Sequence, residues 1–201
     1  MGQPDEITAQ RRMPLPAALS ALHEVRTDQL ILTTMGPARE WAKLPANPLD
    51  FCHIPACMGH TSAIGLGLAL AQPRRQVIVL NADGSMLMSL GNLVTIAAAR
   101  PQNLTLIVCD NAMYEVTGRQ RTPCGTVDFA GLASAAGFPS VARFDDLAAW
   151  KAGICDALAQ PGPRFIHLLV EPVWGEDSLQ VPVIDPISRQ IARFRERIGG
   201  G

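Results

Sequence analysis

The chain is short of most of the features that would tie it to a large outside surface. Among its 201 residues no apolar run reaches the length of a membrane span. Seventeen Lys and Arg against eighteen Asp and Glu leave a net charge of −1. That balance gives no electrostatic reason to expect nucleic acid or an anionic membrane as partner. The polar stretch Met1 to Arg12 lacks the apolar core of a secretory signal, so a cytoplasmic protein is expected. Cysteine is sparse and scattered. Cys52, Cys57, Cys109, Cys124 and Cys155 contain no CxxC pair, and an odd count argues against a disulfide frame or a zinc site. The same scatter excludes iron-sulfur spacing. No internal repeat or low-complexity block is present. What remains, 48% apolar and 17% charged, describes one globular domain able to bury a sizeable core.

Periodicity sets out the elements. Leu15, Leu19, Leu22 and Val25 recur at helical spacing across Pro14 to Arg26. A short buried strand follows over Asp28 to Thr34, then a helix start at Pro37 to Trp41 and a Pro-rich connection through Pro45 and Pro48. Ala63 to Ala71 is an apolar helix weakened by Gly65 and Gly67, so close backbone packing has to compensate. Those glycines lie inside the helical pattern with no strand feeding into them, which rules out a dinucleotide fingerprint. Strands are expected at Gln76 to Leu80, Leu104 to Asp110, Ser140 to Arg143 and Phe165 to Val170, with His167 structural. Helices are expected at Asp128 to Ala136, capped by Asp128, at Asp145 to Ala159, and at Ile187 to Ile198, an amphipathic basic segment. The order predicts a doubly wound α/β fold, a mostly parallel sheet of five or six strands with helices on both faces. Residues 1–27 form an N-terminal helical arm, 28–170 the principal domain, and 171–201 a tail.

The stretch Asn81 to Tyr114 carries the chemistry. A strand ends at Asp83-Gly84-Ser85, a helix-length apolar run follows from Met86 to Ala99, and a second strand ends at Asn111. In an open α/β sheet the carboxyl ends of neighbouring strands form the ligand crevice, so these two side chains can converge across 28 positions of sequence. A carboxylate and an amide oxygen suit a hard cation. They are too few for a cage, which leaves phosphate oxygens and water to complete the shell. Gly84 and Ser85 open a helix whose unpaired N–H groups face such a phosphate. By itself Asp-Gly is also a common turn dipeptide. Thr33-Thr34-Met35-Gly36, at another strand end, serves a phosphate equally well or is an ordinary capped turn. Met58 is core or contact residue. The polar loop Glu115 to Val127 has no periodicity; it closes over a site and offers Thr117, Gln120 or Thr122 to a substrate, or is simply mobile.

Asp83-Gly84-Ser85, followed at the stated distance by Asn111 and a short run ending in Tyr114, resembles the thiamine diphosphate binding motif. Ala82 stands where that family usually has Gly. The small-x-Met-Gly segment Ala56-Cys57-Met58-Gly59, before a small-residue helix, is similar to the family's second signature. The resemblance implies Mg²⁺ held by Asp83, Asn111 and the backbone carbonyl of Met113. It implies a cofactor lined by Thr34, Gly36, Gly84, Ser85 and Tyr114. Met58 is then the wedge that bends the cofactor, and the Ala56 carbonyl accepts from its 4′-amino group. A chemical role for His60, and for His53, is left open, and Cys57 is expected to be inert.

Gly36 to Trp41, Met58-Gly59-His60, Asp83-Gly84-Ser85, Asn111 to Tyr114 and Thr117 to Thr122 follow the arrangement of sulfopyruvate and phosphonopyruvate decarboxylases. A chain this short resembles the separate beta subunit of the former. The resemblance implies decarboxylation of a 2-oxo acid to an aldehyde and CO₂. Arg119 and Arg121 are then candidates for an anionic substrate tail. It also implies an activating glutamate that this chain does not supply, and hence a pyrimidine-binding partner subunit in a hetero-oligomer. Other thiamine-dependent lyases, ligases or 2-oxo acid oxidoreductases, a non-catalytic cofactor-binding subunit and a flavodoxin-type nucleotide domain are the alternatives, the missing iron-sulfur spacing arguing against a ferredoxin-linked oxidoreductase.

Overall fold

The computed structural model describes residues 11–51, 58–123, 126–173 and 185–199. The strands are β1 (Met13–Pro14), β2 (Leu30–Thr33), β3 (Asp50–Phe51), β4 (Val77–Ala82), β5 (Leu104–Asp110), β6 (Met113–Tyr114), β7 (Gln120–Arg121), β8 (Ser140–Phe144) and β9 (Arg164–Glu171). The helices are α1 (Leu15–Val25), α2 (Met35–Trp41), α3 (Thr61–Ala71), α4 (Asp83–Leu87), α5 (Gly91–Ala99), α6 (Phe129–Ala136), α7 (Leu147–Ala159) and α8 (Ile187–Ile198).

Among the described residues seven strands form one parallel sheet in the order β1-β9-β5-β4-β2-β3, with β8 also pairing β9. The expected doubly wound sheet is therefore present. It is wider than the five apolar runs suggested, because β1 and β3 are two-residue strands too short to leave a period in the sequence. Alternation along each strand divides the core into two layers. Leu30, Leu32, Val77, Val79, Leu104, Leu106 and Val108 face α3, α5, α6 and α8, whereas Ile31, Ile78, Leu80 and Ile107 face α1, α2 and α7.

Residues 1–27, set apart as an arm by the sequence reading, include α1, which buries Leu15, Leu19 and Leu22 beside Trp41 and Trp150. Both indoles are satisfied, Trp150 Nε1 donating to the Ala18 carbonyl at 2.9 Å and Trp41 Nε1 to Asp50 Oδ2 at 3.1 Å. In the tail, α8 sets Phe194 against Phe51 with ring centroids 5.7 Å apart. It thereby extends that face of the core to the edge strand β3.

Three local expectations change. The apolar run after Ser85 is two helices, α4 and α5, separated by a turn in which Met88 and Ser89 N–H groups reach back only three residues. Asp128 stands at the N-cap of α6 but makes no side-chain cap bond, whereas Asp146 caps α7 by accepting from the Ala149 N–H at 2.9 Å. Of the two glycines in α3, only Gly65 permits a close approach. A Cβ there would lie 2.2 Å from Val79 Cγ2, while at Gly67 it would meet nothing within 4 Å.

Candidate cofactor and metal site

β4 lies between β5 and β2, so the exits of three neighbouring strands crowd together at one edge of the sheet. A pocket opens there, lined among others by Gly36, Met58, Asp83, Gly84, Ser85, Asn111, Met113, Tyr114 and Thr117. Most of the residues singled out from sequence thus meet around one cleft. Thr34, two residues before Gly36 and absent from the pocket lining, is fully buried, and its hydroxyl has no hydrogen-bond partner among the described residues. A buried hydroxyl without a partner is costly unless a ligand completes it.

Asp83 begins α4, and the first-turn N–H groups of Asp83, Gly84 and Ser85 have no acceptor within the helix. The aspartate is 1% exposed, and its Oδ2 accepts from the Thr122 hydroxyl at 2.8 Å. The hydroxyl expected to face a substrate therefore holds the carboxylate instead. Gly84 is required by a close approach, since a Cβ there would sit 2.4 Å from Tyr114 Cε1. Ser85 Oγ accepts from the Gly59 N–H at 3.0 Å, and Asn92 Nδ2 donates to the Gly59 carbonyl at 2.8 Å and to Ser62 Oγ at 2.9 Å. The Met58-Gly59 turn is thus moored to α4 and α5. Gly59 has φ +83°, the left-handed region that suits glycine.

After β5, Asn111 Oδ1 accepts from the Met113 N–H at 2.9 Å, and its Nδ2 donates to Glu115 Oε1 at 2.8 Å. Ala112 between them has φ +58°. Just beyond, Met113–Tyr114 and Gln120–Arg121 pair as an antiparallel hairpin, so part of the loop read as aperiodic has regular structure. Its tip, Val116 to Gln120, is exposed, and Thr117 Oγ1 donates to Gln120 Oε1 at 2.9 Å. Arg119 and Arg121 are likewise exposed. His60 is exposed and absent from the pocket lining. Ala56, Cys57 and His53, together with Cys52 and Cys124, lie outside the described residues.

Sequence reasoning passed over four supporting residues. Arg39 and Glu115 form a buried ion pair beside Asn111. Asp110 Oδ2 lies 3.0 Å from His167 Nε2, which accounts for the structural histidine, and Arg12 donates to the Asp110 and Val170 carbonyls. The acidic residues were visible, but nothing local in the sequence distinguishes a carboxylate with a distant partner from a solvated one. The thiol of Cys109, also on the pocket wall, is pushed far up by burial and by the nearby Asp83 and Asp110 charges, so it stays protonated.

Asp83 and Asn111 offer one carboxylate and one amide oxygen. The described residues hold no cluster of three or more His, Cys, Asp or Glu side chains suited to a metal. That donor set fits a hard cation whose remaining ligands come from a diphosphate and water. A model described as thiamine pyrophosphate enzyme, C-terminal TPP binding domain, matches residues 33–168.

The chain belongs to the thiamine pyrophosphate enzymes.

It is 40% identical over 185 residues to sulfopyruvate decarboxylase subunit beta of Methanothermobacter thermautotrophicus, covering 91% of this chain and 94% of that one. It is 35% identical over 189 residues to phosphonopyruvate decarboxylase of Streptomyces viridochromogenes, covering 94% of this chain and 47% of that protein. The fold is similar to a solved structure from Mycobacterium smegmatis assigned to the thiamin diphosphate-dependent enzymes. There the TM-score is 0.68 with 21% identity, over 82% of this chain and 33% of the other. This chain thus spans about half of that phosphonopyruvate decarboxylase and a third of the solved chain. No helix among the described residues is long and apolar enough to cross a membrane.

Proposed function

We propose that this chain is the diphosphate-binding subunit of a two-component, thiamine diphosphate-dependent 2-oxo acid decarboxylase of the sulfopyruvate and phosphonopyruvate type, working in the cytoplasm. The observation that carries the reading is the convergence of Asp83 and Asn111, at two strand exits 28 positions apart in sequence, on one pocket shared with Met58. Asp83, Asn111 and the carbonyl of Met113 would hold Mg²⁺. Thr34, Gly36, the first turn of α4 and Tyr114 would line the diphosphate, with the Ala56 carbonyl on the aminopyrimidine. When bound, the cofactor would supply the carbon nucleophile for the keto group of the substrate and the cationic ring that takes up the electron pair left as CO₂ departs.

The chain's own residues bind and orient. Thr122 steadies the Asp83 carboxylate, the moored Met58 turn presents an apolar side chain to the pocket, and the hairpin tip borders it through Val116 and Thr117, the latter bonded to Gln120. Arg119 and Arg121 on the hairpin suit a sulfonate or phosphonate tail. His60, exposed beside the Met58 turn, is assigned no proton transfer. The activating glutamate comes from a partner subunit in a hetero-oligomer. Supporting this, the relative named as a subunit beta matches this chain end to end, whereas the phosphonopyruvate decarboxylase carries the matching region in about half its length.

The test is to co-express the chain with the candidate partner and assay CO₂ release from sulfopyruvate, phosphonopyruvate and pyruvate with Mg²⁺ and thiamine diphosphate. Turnover of an anionic 2-oxo acid by the pair, absent from either subunit alone and abolished by Asp83→Ala, is expected. Retention of the cofactor by Asp83→Ala as tightly as by the unsubstituted protein would remove the metal assignment.

A further inference from the structure

Glu115 lies inside the site yet has both carboxylate oxygens engaged by the protein. Its side chain is 7% exposed. Oε1 accepts from Asn111 Nδ2 at 2.8 Å and from the Val173 N–H at 2.9 Å, and Oε2 accepts from Arg39 Nη2. Arg39 belongs to α2, which follows β2; Asn111 follows β5; Val173 follows β9. One carboxylate therefore ties three strand exits together.

The donor and acceptor rules then decide how Asn111 stands. A carboxylate only accepts, so Glu115 can meet only the NH₂ end of the amide. The Met113 N–H only donates, so the other end must be the oxygen, as the 2.9 Å contact has it. The pair of partners leaves a single amide orientation, where an asparagine in solvent has two. The Met113 N–H uses one lone pair of Oδ1, and the second remains for a cation. Glu115 itself is a poor metal ligand here, because turning either oxygen to a cation would strand the Arg39 guanidinium or the Asn111 amide. Arg39 offsets the charge that would otherwise make a carboxylate at this depth costly. The pair adds no net charge to the pocket.

We propose that Glu115, charge-compensated by Arg39, is a positioning residue that fixes the orientation and place of Asn111 and so sets the affinity of the site for a hard divalent cation. This deepens the reading of Asp83 and Asn111 as metal ligands and rests on it.

The experiment titrates Mn²⁺, followed by its paramagnetic resonance signal, into the metal-stripped full chain with its partner subunit and saturating thiamine diphosphate. Thermal unfolding of the stripped proteins is measured alongside. The variants are Asp83→Asn, Glu115→Ala, Glu115→Gln and the double variant Arg39→Met with Glu115→Leu. The unsubstituted protein is expected to show one tight site and Asp83→Asn none. Glu115→Ala should weaken Mn²⁺ binding by about 10- to 100-fold, with Glu115→Gln between it and the parent because one oxygen still accepts from Asn111. Replacing both charges by apolar groups should restore the melting temperature but leave the affinity as low as in Glu115→Ala.

An affinity within about twofold of the parent in Glu115→Ala would overturn the proposal, the predicted loss for such a support residue being at least about tenfold. So would recovery of both stability and affinity in the double variant, which would make the pair a fastening of the fold alone. If Asp83→Asn binds Mn²⁺ as the parent does, the ligand assignment itself falls and takes this inference with it. That outcome is told apart by a single control.

Discussion

β5 carries an asparagine at each end, and the two do different work. Asn103, just before the strand, is buried, and its Nδ2 lies 3.0, 2.9 and 2.8 Å from the carbonyls of Ala69, Gln72 and Arg75. Two amide hydrogens shared among three carbonyls close the end of α3 and the turn after it. Asn111, just past the strand, meets a side chain and one neighbouring N–H among the described residues, and it borders a pocket. The residue type and the strand are the same. Saturation by the chain's own backbone makes the first a fastener, while an oxygen with capacity to spare makes the second a candidate ligand.

The sharpest way to break this contrast is to remove each amide. Asn111→Ala should abolish Mg²⁺-dependent retention of thiamine diphosphate while the protein stays folded. Asn103→Ala should cost about 2 kcal/mol of stability, since three buried carbonyls lose their donor, and leave metal affinity unchanged. Calorimetric titration and urea unfolding of both variants check this; a crossed result would erase the distinction. The glycines of α3 extend the principle to packing. Gly65→Ala drives a methyl into Val79 and should destabilise by about 1–3 kcal/mol, whereas Gly67→Ala should stabilise by about 0.5–1 kcal/mol. Equal melting temperatures for the two would show that α3 does not sit as close to β4 as the structure has it.

The smallest effect concerns a second buried carboxylate paired with arginine, Asp50 with Arg26. Burial outweighs the Arg26 charge and the Trp41 hydrogen bond, and holds Asp50 above its ordinary 3.8. A folded value above the unfolded one means that the folded state holds more protons between the two. The contribution is therefore fully present below 3.8 and lost as pH rises through the folded value. Relative to Asp50→Asn, the parent should lose stability as pH rises from 3.8 through the folded value, and the difference should then stay constant. A difference that grows with pH would mean that attraction to Arg26 wins.

Much of this was legible in the chain itself. The runs at Leu30 to Leu32, Gln76 to Leu80 and Leu104 to Asp110 announce strands because burial on both faces demands unbroken apolar residues. The motif residues Asp83, Gly84, Ser85 and Asn111 were legible because strand exits are adjacent in a parallel sheet whatever fills the loops. The two-residue strands β1 and β3 were not, being pairings that local sequence cannot encode. Neither was Thr122 on Asp83, which depends on how a hairpin folds back across 39 positions.

The sequence alone determined the order of the longer elements, the parallel sheet and the pair of residues at two strand exits, which follow from periodicity and spacing, and it carried the motifs by which the chain resembles its family. Only the tertiary structure decided which polar groups are spent and which retain capacity. Glu115 is committed not only to Asn111 nearby but to Arg39 and Val173, 76 and 58 positions away, and Asn103 to the end of α3. Hydrogen-bond saturation is set by neighbours in space, and no window of sequence contains them.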